Sequence, residues 1–275
     1  MKRTFYTTFK LLLSAVCFLI GFSALAQEEA PKAGASAQEL ADKLANPVAS
    51  LISVPLQNNL IYGVGPFNGS KYTINVQPVI PFKLSDNLNL ITRYILPVVD
   101  QRDITGENTH QFGLSDATVT AFFAPKTKGL ILGFGPAFLV PTATDKLLGT
   151  EKFGVGPSAL VMHQGKGLSV GFIANQIWSV AGNKDRADFN QFYTQLFLTH
   201  TYKSGASLGV TSEITQNWEG NTTLITISPN IGAVTKLGDQ VVQFAIMPLI
   251  PVVGPRESRP DWGLRAVLAF VFPGS

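Results

Sequence analysis

The sequence predicts an all-β protein: a transmembrane antiparallel β-barrel of about twelve strands, preceded by a short N-terminal helix. Three observations point there. The chain is 45% hydrophobic and only 14% charged, whereas soluble domains carry about 25% charged residues. Beyond residue 26 no run reaches the ~18 apolar residues of a spanning helix. From residue 51 onward the hydrophobicity alternates with period two, as a wall between lipid and a wet lumen requires.

The N-terminus reads as an export signal over residues 1–26. Lys2, Arg3 and Lys10 are a basic lead, Leu11 to Leu25 are mostly apolar, and Ala24-Leu25-Ala26 places small residues where leader peptidase cuts, before Gln27. The run is short for a helix that must cross ~30 Å of hydrocarbon, which argues against a retained anchor. Cys17 is the sole cysteine, and Val16 stands before it where a lipoprotein signal needs a small residue. The mature chain therefore has no disulfide and no thiolate chemistry. Once Lys2, Arg3 and Lys10 leave with the signal, 18 basic and 18 acidic residues remain. A nucleic-acid partner, which needs a basic stripe, has no support.

Residues 27–50 form a periplasmic linker and a short helix. Ser36 and Glu39 make a capping-box pair, Leu40 and Leu44 share one face, and Asn46-Pro47 stops the helix. About ten residues do not hold a helix alone in water. Docking on the barrel, or in its lumen as a plug, is expected.

Residues 51–275 form the barrel. Its clearest strand runs from Tyr72 to Leu84. Tyr72, Ile74, Val76, Ile80, Phe82 and Leu84 make one face, and Lys71, Thr73, Asn75, Gln77 and Lys83 the other. Twelve such segments fall near 51–64, 71–84, 88–100, 111–125, 129–141, 153–164, 168–180, 189–202, 206–217, 222–236, 240–251 and 261–272. Tight turns alternate with longer connections, with Trp218–Asn221 the short exception, the arrangement of periplasmic turns and external loops. An even strand number leaves both termini periplasmic. Tyr62, Tyr94, Trp178, Tyr202, Trp218 and Trp262 fall near strand ends, where aromatic girdles sit. Pro55, Pro78, Pro97, Pro136, Pro157, Pro229 and Pro248 lie inside proposed strands and must interrupt the ladder, so bulges or gaps are expected there. Counts of ten or fourteen strands stay open.

Several stretches resemble a known family. They are the run from Asn46 to Asn59 (NPVASLISVPLQNN), Asn75-Val76-Gln77-Pro78-Val79-Ile80-Pro81-Phe82, Pro141-Thr142-Ala143-Thr144-Asp145 with Leu148-Gly149-Thr150-Glu151-Lys152, then Asn217-Trp218, and the ending Phe270-Val271-Phe272-Pro273. Together they are similar to the outer-membrane barrel family named for the MetA pathway of phenol degradation, whose members are commonly described as transporters. The resemblance spans about residues 40 to 273. Asn87-Leu88-Asn89 stands where that family usually has a Trp-Asn pair, and Phe153 where Trp is common. The resemblance implies an outer-membrane barrel and passage of aromatic compounds. It implies no catalytic residues and no cofactor.

If Tyr72 faces lipid, the lumen receives Lys71, Asn75, Gln77 and Lys83, with Arg93, Asp116, Glu213 and Arg265 further round. Such residues could line an ion-selective path, or pair off and brace the wall. Bracing is favoured, because buried charges are normally paired. Gly133, Gly135, Gly154, Gly156, Gly171 and Gly209 would face inward, either leaving room for water or a plug or marking bulges. Ile91, Ile95, Ile173 and Ile177 make the inward face partly apolar, which suits aromatic or other hydrophobic solutes. Passive passage of such solutes across the outer membrane is the expected function. A non-conducting structural or surface-binding barrel is the alternative. A lipid-modifying enzyme fits less well: His110, Ser115 and Asp116 are close in sequence, but Ser115 and Asp116 point to opposite faces. His163 and His200 are isolated, no metal-ligand spacing occurs, and no cofactor is implied. The expected partners are outer-membrane lipid, the solute, and the barrel-assembly machinery, which would read Phe270 and Phe272 on the last strand.

Overall fold

The computed structural model describes residues 51–127, 130–238, 240–256 and 258–272. The expected export signal and the helix at 36–45 lie outside these residues. The strands are β1 (Ile52–Val64), β2 (Gly69–Val76), β3 (Val79–Lys83), β4 (Leu88–Arg102), β5 (His110–Leu114), β6 (Ala117–Pro125), β7 (Leu130–Val140), β8 (Lys152–Gly165), β9 (Leu168–Gly182), β10 (Asn190–Thr201), β11 (Ala206–Asn217), β12 (Thr222–Leu237), β13 (Gln240–Val253) and β14 (Trp262–Phe272). β2 and β3 are two halves of one crossing, both set between β1 and β4. β5 and β6 are likewise halves of one crossing beside β4. The result is twelve antiparallel crossings. β14 returns to β1 in a continuous register from Ile52↔Phe272 to Tyr62↔Trp262. That seam closes the barrel and leaves no free edge among the described strands.

The alternation sorts side chains as the sequence requires. Tyr72, Phe123, Phe134, Val170, Leu198, Ile231 and Phe244 all point outward and are exposed. Phe134 is 64% exposed. Apolar area facing water is unfavourable by roughly 25 cal/mol per Å², so a belt of this kind needs acyl chains around it. Near the loop end Tyr62 packs on Trp262, with ring centroids 5.0 Å apart, across the closing seam. Trp178, Trp218 and Tyr202 are also exposed close to strand ends. Tyr94 departs from the expectation. It sits in the middle of β4, and its N–H donates to the Pro78 carbonyl at 3.0 Å, so it marks the β2/β3 break rather than a girdle.

Prolines lie at the gaps inside the ladders, whereas the bulges near the loop ends fall at Gly63, Val180 and Val252. Pro78 lies at the β2/β3 break. Pro97 lies opposite the β5/β6 break, and its carbonyl accepts the Ser115 N–H at 3.0 Å. Pro136 and Pro157 face each other across β7 and β8. On either side of them the ladder skips, from Thr120↔Ala137 to Phe123↔Phe134 and from Val155↔Trp178 to Ser158↔Asn175. Pro229 and Pro248 lie in the skip between Ile227↔Ile250 and Ile231↔Ile246. Gly135 and Gly156 occupy two of these skips. A Cβ on either would collide with a neighbouring carbonyl oxygen, that of Ala121 or Gln176. These glycines let the backbones approach closely, and they do not create space in the lumen.

One apolar cluster lines the inner wall toward the short-turn end: Ile91, Phe122, Ala124, Leu160, Met162 and Ile173 are buried together. It forms where inward positions of β4, β6, β8 and β9 carry large hydrophobics in place of polar residues.

Candidate functional site: the lumen

The inward residues between this cluster and the loop end enclose a cavity of about 670 Å³. Of the residues the sequence singled out, Asn75, Gln77, Arg93, Asp116, Glu213 and Arg265 all line it, from six different strands or strand breaks. Lys71 shares their face near the loop end of β2 but lies outside the lining. Lys83 does not contribute. It sits at the turn end, largely exposed, and pairs with Asp86 at 2.6 Å. Ile95, Ile173 and Ile177 line the cavity, while Ile91 belongs to the buried cluster.

At mid-height a polar bar crosses the lumen. Arg265 on β14 holds Glu213 on β11 through two hydrogen bonds, Nη1 to Oε1 at 3.0 Å and Nη2 to Oε2 at 2.9 Å. The bond spans β12 and β13, so it is a chord and not a cross-strand pair. The Arg265 Nε donates to Asn59 Oδ1 of β1 at 2.6 Å. The Tyr193 hydroxyl of β10 donates to Glu213 Oε1 at 3.0 Å. Planar, bidentate geometry of this kind is what arginine offers a carboxylate. Arg93 reaches in from β4, and its Nη2 donates to Gln77 Oε1 at 3.0 Å.

At the loop end the connection 141–151 folds against the barrel mouth. Asp116, at the β5/β6 break, is its anchor. The carboxylate accepts the Ala143 N–H at 3.3 Å, the Thr150 N–H at 2.6 Å and the Thr150 hydroxyl at 2.7 Å. The Thr142 hydroxyl donates to the Ser115 carbonyl and accepts the Ala117 N–H, at 2.8 and 2.9 Å. Arg186, from the next long loop, donates to the carbonyls of Lys146 and Gly149 at 2.9 and 2.6 Å. Leu147, Leu148, Gly149 and Thr150 thereby become part of the cavity wall. In the same region Lys152 holds Asp188 at 3.0 Å. That contact keeps the Asp188 carboxyl below its ordinary value of 3.8, with the Ser179 hydroxyl adding to the effect.

The residues weighed for catalysis are not brought together. His110 meets Asp100 at 3.0 Å, at the outer rim. The Ser115 hydroxyl donates to the Leu148 carbonyl, and Asp116 is taken up by loop 141–151. Among the described residues no cluster of His, Cys, Asp and Glu could hold a metal ion. Sequence reasoning missed Asn59, Thr120, Arg186 and Tyr193. For Tyr193 a signal existed, since it alternates with the outward Leu196 and Leu198 and so had to point inward.

No protein-family model matches the chain, and no curated protein matches it. Among solved structures it is similar to the COG4313 outer membrane channel from Pseudomonas putida F1. That match has 17% identity and a TM-score of 0.61, and covers 81% of this chain and 94% of that one. Looser likenesses include the CymD monoaromatic hydrocarbon channel, at 9% identity and TM-score 0.48, covering 83% of this chain and 91% of that one. Another is outer membrane phospholipase A from Escherichia coli, at 9% identity and TM-score 0.44, covering 87% and 99%. The last two are too distant to bear on function. The first shows a shared fold: the chain has the architecture of an outer-membrane β-barrel.

Proposed function

We propose that this protein is an outer-membrane channel for passive passage of small aromatic or hydrophobic solutes. One observation carries the reading. Inside the closed, lipid-facing barrel is a cavity whose wall mixes Ile95, Leu139, Ile173, Ile177 and Phe189 with amide and charged side chains. A purely aqueous pore has no use for such an apolar lining, and a filled structural barrel would have no cavity. The sequence resemblance to the MetA-pathway barrels supports the same class of solute. The fold shared with a channel supports location in the outer membrane. Liposome swelling tests the reading: phenolic solutes should enter faster than sugars of similar size, and equal rates would overturn it.

A second reading has one specific observation in its favour. Loop 141–151 is tied across the mouth, and the Glu213–Arg265 chord crosses the lumen, as expected of a braced barrel that does not conduct. Single-channel recording of the purified protein separates the two readings. A closed barrel shows no unitary current, whereas a channel does.

A further inference from the structure

Three features of the lumen wall around Arg93 are unexplained by bracing. The first is an unmatched cation. Glu213 spends both oxygens on Arg265 and Tyr193, so of the mid-height charges Arg93 is left over. Among the described residues its one hydrogen-bond partner is Gln77, and no carboxylate lies within ion-pair distance. A guanidinium offers five N–H donors, and a charge held away from bulk water calls for a counter-charge. The second is a hydroxyl. Thr120 is the direct cross-strand neighbour of Arg93, is 5% exposed, and lines the same cavity. Among the described residues its Oγ1 has no hydrogen-bond partner, a rare state for a buried polar atom. The third is the setting: Ile95, the next inward residue of β4 toward the loop end and the cross-strand partner of Thr118, lines the same cavity, as does Ile173, so apolar surface shares the wall with the two groups.

We propose that Arg93 and Thr120 form a carboxylate-binding site, which takes small organic acids with an apolar, ring-sized body. The acid's oxygens accept from the guanidinium and from the Thr120 hydroxyl, and its body lies on the isoleucines. Asp116 does not compete, because its carboxylate is occupied by the N–H groups and hydroxyl of loop 141–151. The proposal rests on the channel reading for its biological sense and names the solute class more narrowly: the anionic form of an aromatic acid in preference to its neutral analogue.

The test is binding, kept separate from transport. The full mature protein is solubilised in detergent, and 4-fluorobenzoate is titrated at neutral pH by ¹⁹F NMR, with 4-fluorobenzyl alcohol as the uncharged control. Wild type should bind 4-fluorobenzoate saturably and more tightly than the alcohol. Arg93→Gln should weaken the benzoate by about tenfold or more, the scale of a lost charge-assisted hydrogen bond, while leaving the alcohol within twofold. Thr120→Val, nearly isosteric and less intrusive, should weaken the benzoate severalfold and serves if Arg93→Gln fails to fold. Heat-modifiable migration on gels checks the fold of each variant. The proposal is overturned if wild type shows no saturable benzoate binding, if both variants bind it as wild type does, or if both probes weaken equally. Liposome uptake of the same two compounds reads the channel separately. Binding without uptake would retire the channel and keep the site, and uptake without binding would do the reverse.

Discussion

The chord between Glu213 and Arg265 offers the sharpest test of how the lumen is held. Glu213→Ala removes two guanidinium hydrogen bonds and the one from Tyr193, and leaves Arg265 with Asn59 as its remaining partner. Breaking a buried ion pair by deleting one partner typically costs about 3–5 kcal/mol. Here the side chains keep 12% and 19% of their exposure, so lumen water offsets part of that, and about 2–3 kcal/mol is expected. Arg265→Met should cost a similar amount. The double variant leaves neither charge stranded and should cost about 1–3 kcal/mol less than the sum of the singles. Reversible urea unfolding in lipid vesicles, followed by tryptophan fluorescence, measures all four corners of the cycle. If Glu213→Ala stays within about 0.5 kcal/mol of wild type, or the singles simply add, the chord is not a strut and the reasoning fails.

Three further outcomes are expected. Asp116→Ala strips loop 141–151 of its anchor, so current noise and cleavage by added protease within 141–151 should rise while the barrel still folds; unchanged proteolysis would count against the anchor. The Asp188 carboxyl is held below its ordinary value, chiefly by its hydrogen bond from Lys152 and then by Ser179. Its contribution is therefore in place above pH 3.8 and is lost as the pH falls through the lowered value. Protection of the 183–189 amides from hydrogen exchange, taken relative to their intrinsic rates at each pH, should fall over that acid range in wild type, and Asp188→Asn should show the lower protection already at neutral pH. Phe272 faces outward at the end of the closing strand. Phe272→Ala should lower the yield of heat-modifiable protein in the outer membrane, and a normal yield would remove the last strand's aromatic end from the assembly signal.

The wall was legible in the sequence because its cause is local. Every strand has a period-two pattern, and the twelve segments read from it coincide closely with the observed crossings. The prolines, too, announced themselves. Each of Pro78, Pro97, Pro136, Pro157, Pro229 and Pro248 lies at or opposite a gap in pairing, because a residue without an N–H cannot complete the ladder. What the sequence could not give is how far apart in the chain the lumen partners lie. Glu213 and Arg265 were both candidates for the inner face, yet their union depends on barrel diameter and strand stagger, which no local pattern encodes. Asp116 was expected as a lumen residue. That it would bind backbone N–H groups of Ala143 and Thr150 requires knowing that loop 141–151 folds inward. Thr120 carries no signal in the sequence, since a threonine in a strand is ordinary; only the absence of a hydroxyl partner among the described residues sets it apart. The alternation places the glycines on the inner face but leaves their purpose open. Only the neighbouring carbonyl positions show that Gly135 and Gly156 serve close backbone approach.

The chord has one more consequence, for the order of events in assembly. The Glu213–Arg265 pair lies within the C-terminal strands and can form before the barrel closes, but the arm from Arg265 to Asn59 joins the last strand to the first and can form only with the seam. That arm is a latch on a seam already made. Removing it with Asn59→Ala should leave the rate of insertion largely unchanged and speed the reverse process, so that a damaged latch shows as a shortened lifetime in the membrane, with no slowing of arrival there.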